Sequence, residues 1–129
     1  MVKLLSAMRI VSLHERVLQE LGGGKAGILD AGRIEAAVAR MSSGVGEREF
    51  YPDLYSKCAA LLQALIAGHA FVDGNKRTAI LAADAMLELN CVELSYSAEE
   101  VVAFAIAVAT HEIAFDGIVA WLREHSRER

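Results

Sequence analysis

The sequence predicts an all-α fold, a compact single-domain helical bundle over residues 1–129, on three observations. Its residues are 54% hydrophobic but only 6% aromatic, so the core must be built mainly of Ala, Leu, Val and Ile. That composition suits closely packed helices better than a β-sandwich, which draws on aromatic and β-branched residues. The chain has a single proline, as long helices require, because proline breaks a helix interior. Apolar residues also recur at helical spacing through most of the chain, and a chain of 129 residues is close to the usual size of one domain.

The elements follow in order. Ser6 is placed to cap a first helix carrying Ile10, Leu13, Val17, Leu18 and Leu21 on one face. Gly22-Gly23-Gly24 is expected to end it. Asp30 is placed to cap a helix around Ile34 to Met41. Ser42 to Tyr51, with two glycines and three charges, reads as an exposed loop or a short hairpin.

Pro52 is expected to open the next helix, in which Leu54, Cys58, Leu61, Leu62, Leu65 and Ile66 keep the period to about His69. Asp73-Gly74 breaks the chain direction and Asn75 restarts a helix to Asn90. Its stretch Ala79 to Ala83 is apolar on every side, as in the middle of a bundle. Ser97 and Glu100 form a capping-box pattern before a further all-apolar helix, Val101 to Thr110. Asp116 is expected to cap a last helix carrying Ile118, Val119, Trp121 and Leu122.

Charge and cysteine usage narrow the function. The formal net charge is −4 and the isoelectric point about 5.5, unlike the basic footprint of nucleic-acid binders, so no nucleic-acid partner is expected. Cys58 and Cys91 lack metal or redox spacing and are expected to be reduced and buried. The N-terminal apolar run is too short for a signal peptide and no run is long enough for a membrane span, so a cytoplasmic protein with no membrane partner is expected.

One stretch differs from the rest. Between the apolar runs Leu61–Ala67 and Ala79–Ala83, the passage from Gly68 to Thr78 gathers an imidazole, a carboxylate, an amide, an ammonium and a guanidinium. Packing such groups between buried helices is unfavourable unless they satisfy each other or serve a ligand. Asn75 to Thr78 would form the first turn of a central helix, whose free N–H groups and dipole attract anions. Gly74 allows close approach, and Lys76 and Arg77 add positive charge, so Gly74, Asn75, Lys76 and Arg77 read as a phosphate cradle.

Asp73 offers a hard oxygen suited to Mg²⁺, and His69 a base able to take a proton from a hydroxyl. These are the parts that phosphoryl or nucleotidyl transfer needs. The passage is no Walker A loop, because Asn75 separates Gly74 from Lys76 and a helix, not a strand, precedes it. A DNA-reading helix–turn–helix fits poorly, because the helix after Asn75 has no polar face for the major groove. His14, His111 and His125 have no partner at a telling spacing and read as structural or exposed.

His69-Ala70-Phe71-Val72-Asp73-Gly74-Asn75-Lys76-Arg77 resembles the H-x-F-x-[D/N]-A-N-K-R motif of Doc (death-on-curing) toxins, relatives of the Fic proteins. Leu13-His14, Gly22-Gly23 and Asp30-x-Gly32-Arg33-x-Glu35-x-Ala37 follow the Doc pattern in order, so the likeness covers nearly the whole chain. The resemblance implies a Fic/Doc-type bundle in which His69 is the general base and Asp73 the metal ligand. Asn75, Lys76 and Arg77 would contact nucleotide phosphates, and Phe71 would point into the core. It further implies a toxin of a toxin–antitoxin system, a kinase moving phosphate from ATP or another nucleoside triphosphate, with Mg²⁺, to a protein hydroxyl. The implied target is elongation factor Tu, a translation factor, and the implied consequence is translation inhibition.

Fic enzymes that transfer AMP usually read H-P-F-x-[D/E]-G-N-G-R-x-x-R. Here Ala70 replaces the proline, Lys76 the second glycine and Ile80 the last arginine, as in Doc, whereas Gly74 follows the Fic side. AMP transfer and a catalytically silent binding module are the alternatives. The segment Glu47 to Tyr51 falls where the family places a flap that aligns the target, although an exposed charged loop describes the same residues. Ser43-x-x-x-Glu47 followed by Arg48 misses the Fic inhibitory pattern, so restraint is expected from a separate antitoxin covering a groove.

Overall fold

Ser6 starts the first helix as the sequence predicts: its Oγ accepts from Arg9 N–H and its carbonyl from Ile10 N–H, and α1 runs over Ala7–Glu20. The protein is described by a computed structural model covering residues 1–20 and 27–129. Leu21 and the expected stop at Gly22-Gly23-Gly24 therefore lie outside the described residues. Ile10, Leu13, His14 and Val17 form the buried stripe of α1. Asp30 caps α2 (Ala31–Arg40) through Gly32 N–H at 2.9 Å.

A small antiparallel hairpin follows, β1 (Gly44–Val45) with β2 (Arg48–Glu49), its strands fully exposed. Its base is pinned. Lys57 Nζ, almost wholly buried, donates to the Met41 carbonyl at 3.0 Å and to Glu49 at 2.9 Å. Ser43 to Glu47 thus lies in a hairpin and not in an inhibitory helix.

Pro52 does not open the third helix. Asp53 does, in a reciprocal capping box with Ser56, and α3 runs over Leu54–Gly68. Proline fits just before the cap because the position needs extended backbone and no N–H donor. α4 (Asn75–Leu89) begins where predicted, and Asn90 closes it. These two helices form the most extensive contact in the molecule and bury Cys58, Leu61, Leu62, Ala79, Ala82, Ala83 and Met86 completely. Small residues on the facing surfaces let the axes approach closely. Burial pushes the Cys58 thiol well above the usual range, aided by nearby Asp84, so it remains protonated.

Ser97 and Glu100 cap α5 (Ala98–Ala109) as expected. That helix is not buried all round, however: Val102 is 57% and Ile106 48% exposed. The last helix, α6, spans Phe115–Glu124 with Ala114 at the cap, so Asp116 sits inside the first turn, where its charge still complements the helix dipole. Two strands escape the sequence reading. β3 (Val92–Leu94) pairs antiparallel with β4 (Ser126–Glu128), and segments of three residues are too short for a period to be read. Cys91 is exposed and not buried, because it follows the Asn90 cap of α4 in a left-handed turn with φ 62°. Among the described residues no helix is long and apolar enough to cross a membrane.

His125 also has partners. Its Nδ1 faces the Trp121 carbonyl and its Nε2 the Glu100 carboxylate, each at 2.7 Å, so both nitrogens must carry protons. Burial opposes that charge, but the carbonyl and the carboxylate outweigh it and raise the imidazole above its ordinary value. Glu100 is lowered, by its bond from His125 and then by Ser97.

The signs give a window. The histidine contribution is complete below its ordinary value of 6.5 and is lost as pH rises through the raised folded value. The Glu100 contribution is present above 4.5 and is lost as pH falls through the lowered folded value. Raising the pH from about 6 to 8 is therefore expected to lower the melting temperature. His125→Gln should flatten that slope, as thermal unfolding at several pH values would record.

Candidate active site

The six residues 69–74 join the end of α3 to the start of α4, which places every predicted site residue at one end of this helix pair. Helix α3 stops because His69 turns left-handed, φ 47° and ψ 52°. Its last carbonyls need partners, and Arg33 supplies one, donating from Nη1 to the Gly68 oxygen at 2.7 Å. The turn is then held from the side by the segment before α2. Leu29 N–H and Asp30 N–H both donate to the Ala70 carbonyl, and Val72 N–H donates to the Gly27 carbonyl. The Asp30-x-Gly32-Arg33 pattern thus has a local cause: one residue caps α2 and another caps the end of α3.

Asn75 opens α4 as the sequence predicts, and its side chain braces the turn before it. Its side-chain oxygen accepts from Phe71 N–H at 3.1 Å, and its amide nitrogen donates to the Phe71 carbonyl at 2.9 Å. The amide closes the turn on itself and is not free for a phosphate, so only the Asn75 backbone N–H could serve one. Phe71 points into the core, 2% exposed, as expected. Gly74 adopts φ 79°, and an added Cβ would lie 3.2 Å from Val17 Cγ1. Both the left-handed turn and the close approach of α1 favour glycine there.

His69, Asp73, Lys76 and Arg77 are exposed around this braced turn. Asp73 Oδ1 accepts from Gly74 N–H at 2.9 Å, which leaves its second oxygen outward. The first intrahelical N–H of α4 to reach back is that of Thr78, to the Gly74 carbonyl at 2.9 Å, so the amides of residues 75–77 have no acceptor among the described residues. Lys76 has no ion-pair partner among the described residues, and Arg77 meets Glu20 only at 3.5 Å with both side chains exposed. Such a pair is weak and yields readily to a stronger anion.

Beside the cations opens a cleft of about 520 Å³, walled by Ile80, Leu81, Tyr96, Val101, Val102 and Ile106. The exposed apolar face of α5 is one side of it.

The arrangement suits a single Mg²⁺ shared with phosphates. Asp73 is one hard oxygen, and among the described residues no cluster of three or more His, Cys, Asp or Glu could cage an ion. Magnesium bound by one carboxylate and substrate phosphates needs no such cage.

One participant has no place in the sequence-based site. His14, 3% exposed, reaches from α1 to the Asp73 carbonyl with Nε2 at 2.8 Å and stacks on Phe71 with ring centroids 3.8 Å apart. The signal was its position: four residues after Ile10 and three before Val17, a histidine set in an apolar stripe.

Known proteins resemble the chain over much of its length. A family model described as Fic/DOC family matches residues 4–87. The Toxin Doc of Mycolicibacterium smegmatis is 42% identical over 102 residues, covering 78% of this chain and 78% of that protein. The Protein kinase doc of Escherichia phage P1 is 33% identical over 119 residues, covering 92% of each.

Proposed function

The chain belongs to the Fic/DOC family, and from that premise we propose that it is a toxin that transfers phosphate from a nucleoside triphosphate to a protein hydroxyl. The observation that carries the reading is the braced turn: backbone groups of residues 68 and 70–73 are tied to α1, α2, the segment before α2 and Asn75, while the four charged or basic side chains around it stay exposed. A rigid loop with reactive groups turned outward suits preorganised catalysis.

In this mechanism the free amides of residues 75–77, with Lys76 and Arg77, hold the phosphates. Asp73 holds Mg²⁺, which when bound neutralises charge on the phosphate oxygens. His69 takes the proton from the target hydroxyl. That oxygen bonds to the γ-phosphorus as the bond to the bridging oxygen breaks, and the nucleoside diphosphate leaves.

Kinase activity is favoured over AMP transfer by Lys76 and by Ile80. Ile80 is a nearly buried wall of the cleft where the AMP-transferase motif has arginine. The phage P1 relative is named a protein kinase, which points the same way. Incubation with purified elongation factor Tu and ATP labelled at the γ or the α position distinguishes the two. Label arriving from the γ position supports the kinase, and label arriving only from the α position replaces it with AMP transfer.

Lys76→Ala and Arg77→Ala are each expected to weaken ATP binding by about tenfold or more, because each removes a charge-assisted phosphate contact. The loss should shrink at high salt. Titration calorimetry at two ionic strengths checks this, and unchanged affinity in both variants would remove the cradle.

The partner that restrains such a toxin is a separate antitoxin. The cleft along α4 and α5 has an apolar lining that suits the apolar face of a helix, with Lys76 and Arg77 also lining it.

A further inference from the structure

Asp73 and Gly74 form the mouth of the site, yet part of their grip comes from α1, 59 residues away in the chain. His14 Nε2 faces the Asp73 carbonyl at 2.8 Å. A carbonyl only accepts, so Nε2 carries the proton. The same ring lies flat on Phe71, at 10° to its plane. Beneath Gly74, His14 Cδ2 would stand 3.7 Å from an added Cβ. One buried imidazole therefore contacts two of the four residues that turn the chain from 71 to 74, Phe71 and Asp73, and lies beside a third, Gly74.

The direction of the contact matters. With its carbonyl drawn toward α1, Asp73 is exposed at its side chain, and the chain passes through the left-handed Gly74 into the free amides of α4. We infer that His14 is a positioning residue: its N–H bond to the Asp73 carbonyl sets the Asp73 carboxylate relative to the anion-binding start of α4. The inference rests on the nucleotide-binding reading for its consequence, but not for its geometry. His14 acts through Asp73 and Gly74, and its burial keeps it from the reacting atoms.

Two variants separate this role from packing. His14→Phe keeps a buried ring on Phe71 and loses the donor. His14→Gln places an amide N–H at the reach of Nε2 and loses the ring. A positioning role predicts that in the Phe variant the amide hydrogens of Gly74 and Thr78 exchange about tenfold faster in the ligand-free protein, the effect of one lost buried hydrogen bond. The Phe variant should also bind MgATP about tenfold more weakly, while the Gln variant stays near the parent in both measurements.

If His14 only fills space the order reverses, with the Gln variant damaged and the Phe variant normal, and that result overturns the inference. Equal effects in the two variants overturn it as well. Exchange needs no ligand, so a parent protein that binds no MgATP while the Phe variant still exchanges faster would sink the nucleotide reading and leave the role of His14 standing.

Discussion

Replacing His69 is expected to lower phosphate transfer by about 10²- to 10⁴-fold, the range for removing a positioned general base, while the fold survives. The ring is exposed and makes no hydrogen bond among the described residues, so little packing is lost. Its backbone is left-handed, φ 47°, a conformation asparagine tolerates better than alanine. His69→Asn is therefore the cleaner variant, and His69→Ala the harsher control. Both should melt close to the parent, and expression of either should no longer arrest growth. Arrest that persists with both would favour a binding module without catalysis over either transferase.

The second large effect concerns Asn75. Asn75→Ala removes two hydrogen bonds from the backbone of Phe71, a residue that is 2% exposed. A buried donor and a buried acceptor would lose their partner, at a cost of about 2 kcal/mol or more. The better helix propensity of alanine offsets only a few tenths of that. The turn that carries Asp73 should loosen, so transfer falls together with stability. Urea unfolding would show a lower midpoint with an unchanged slope. Normal stability with selective loss of ATP affinity would instead make the Asn75 side chain a phosphate contact and overturn the bracing role.

The two variants differ in the quantity they move. Replacing His69 removes chemistry from an intact frame, whereas replacing Asn75 loosens the frame that presents the chemistry. Measuring melting and transfer on both separates a reacting group from a bracing one, even though only five residues lie between them.

The sequence by itself determined the helical class, most helix starts and the place of the polar turn between α3 and α4. Each depends on neighbours within a few residues: Ser6, Asp30 and Ser97 cap helices by bonds two or three residues on, and the motif from His69 to Arg77 is continuous in the chain. Tertiary structure alone decided the rest. It turned Asn75 inward to Phe71, brought His14 under Asp73, gave His125 its carboxylate and paired β3 with β4 across more than thirty residues. Such contacts form only when packed helices bring distant side chains within about 3 Å, the reach of a hydrogen bond, and periodicity along one segment holds no record of which segment will lie against it.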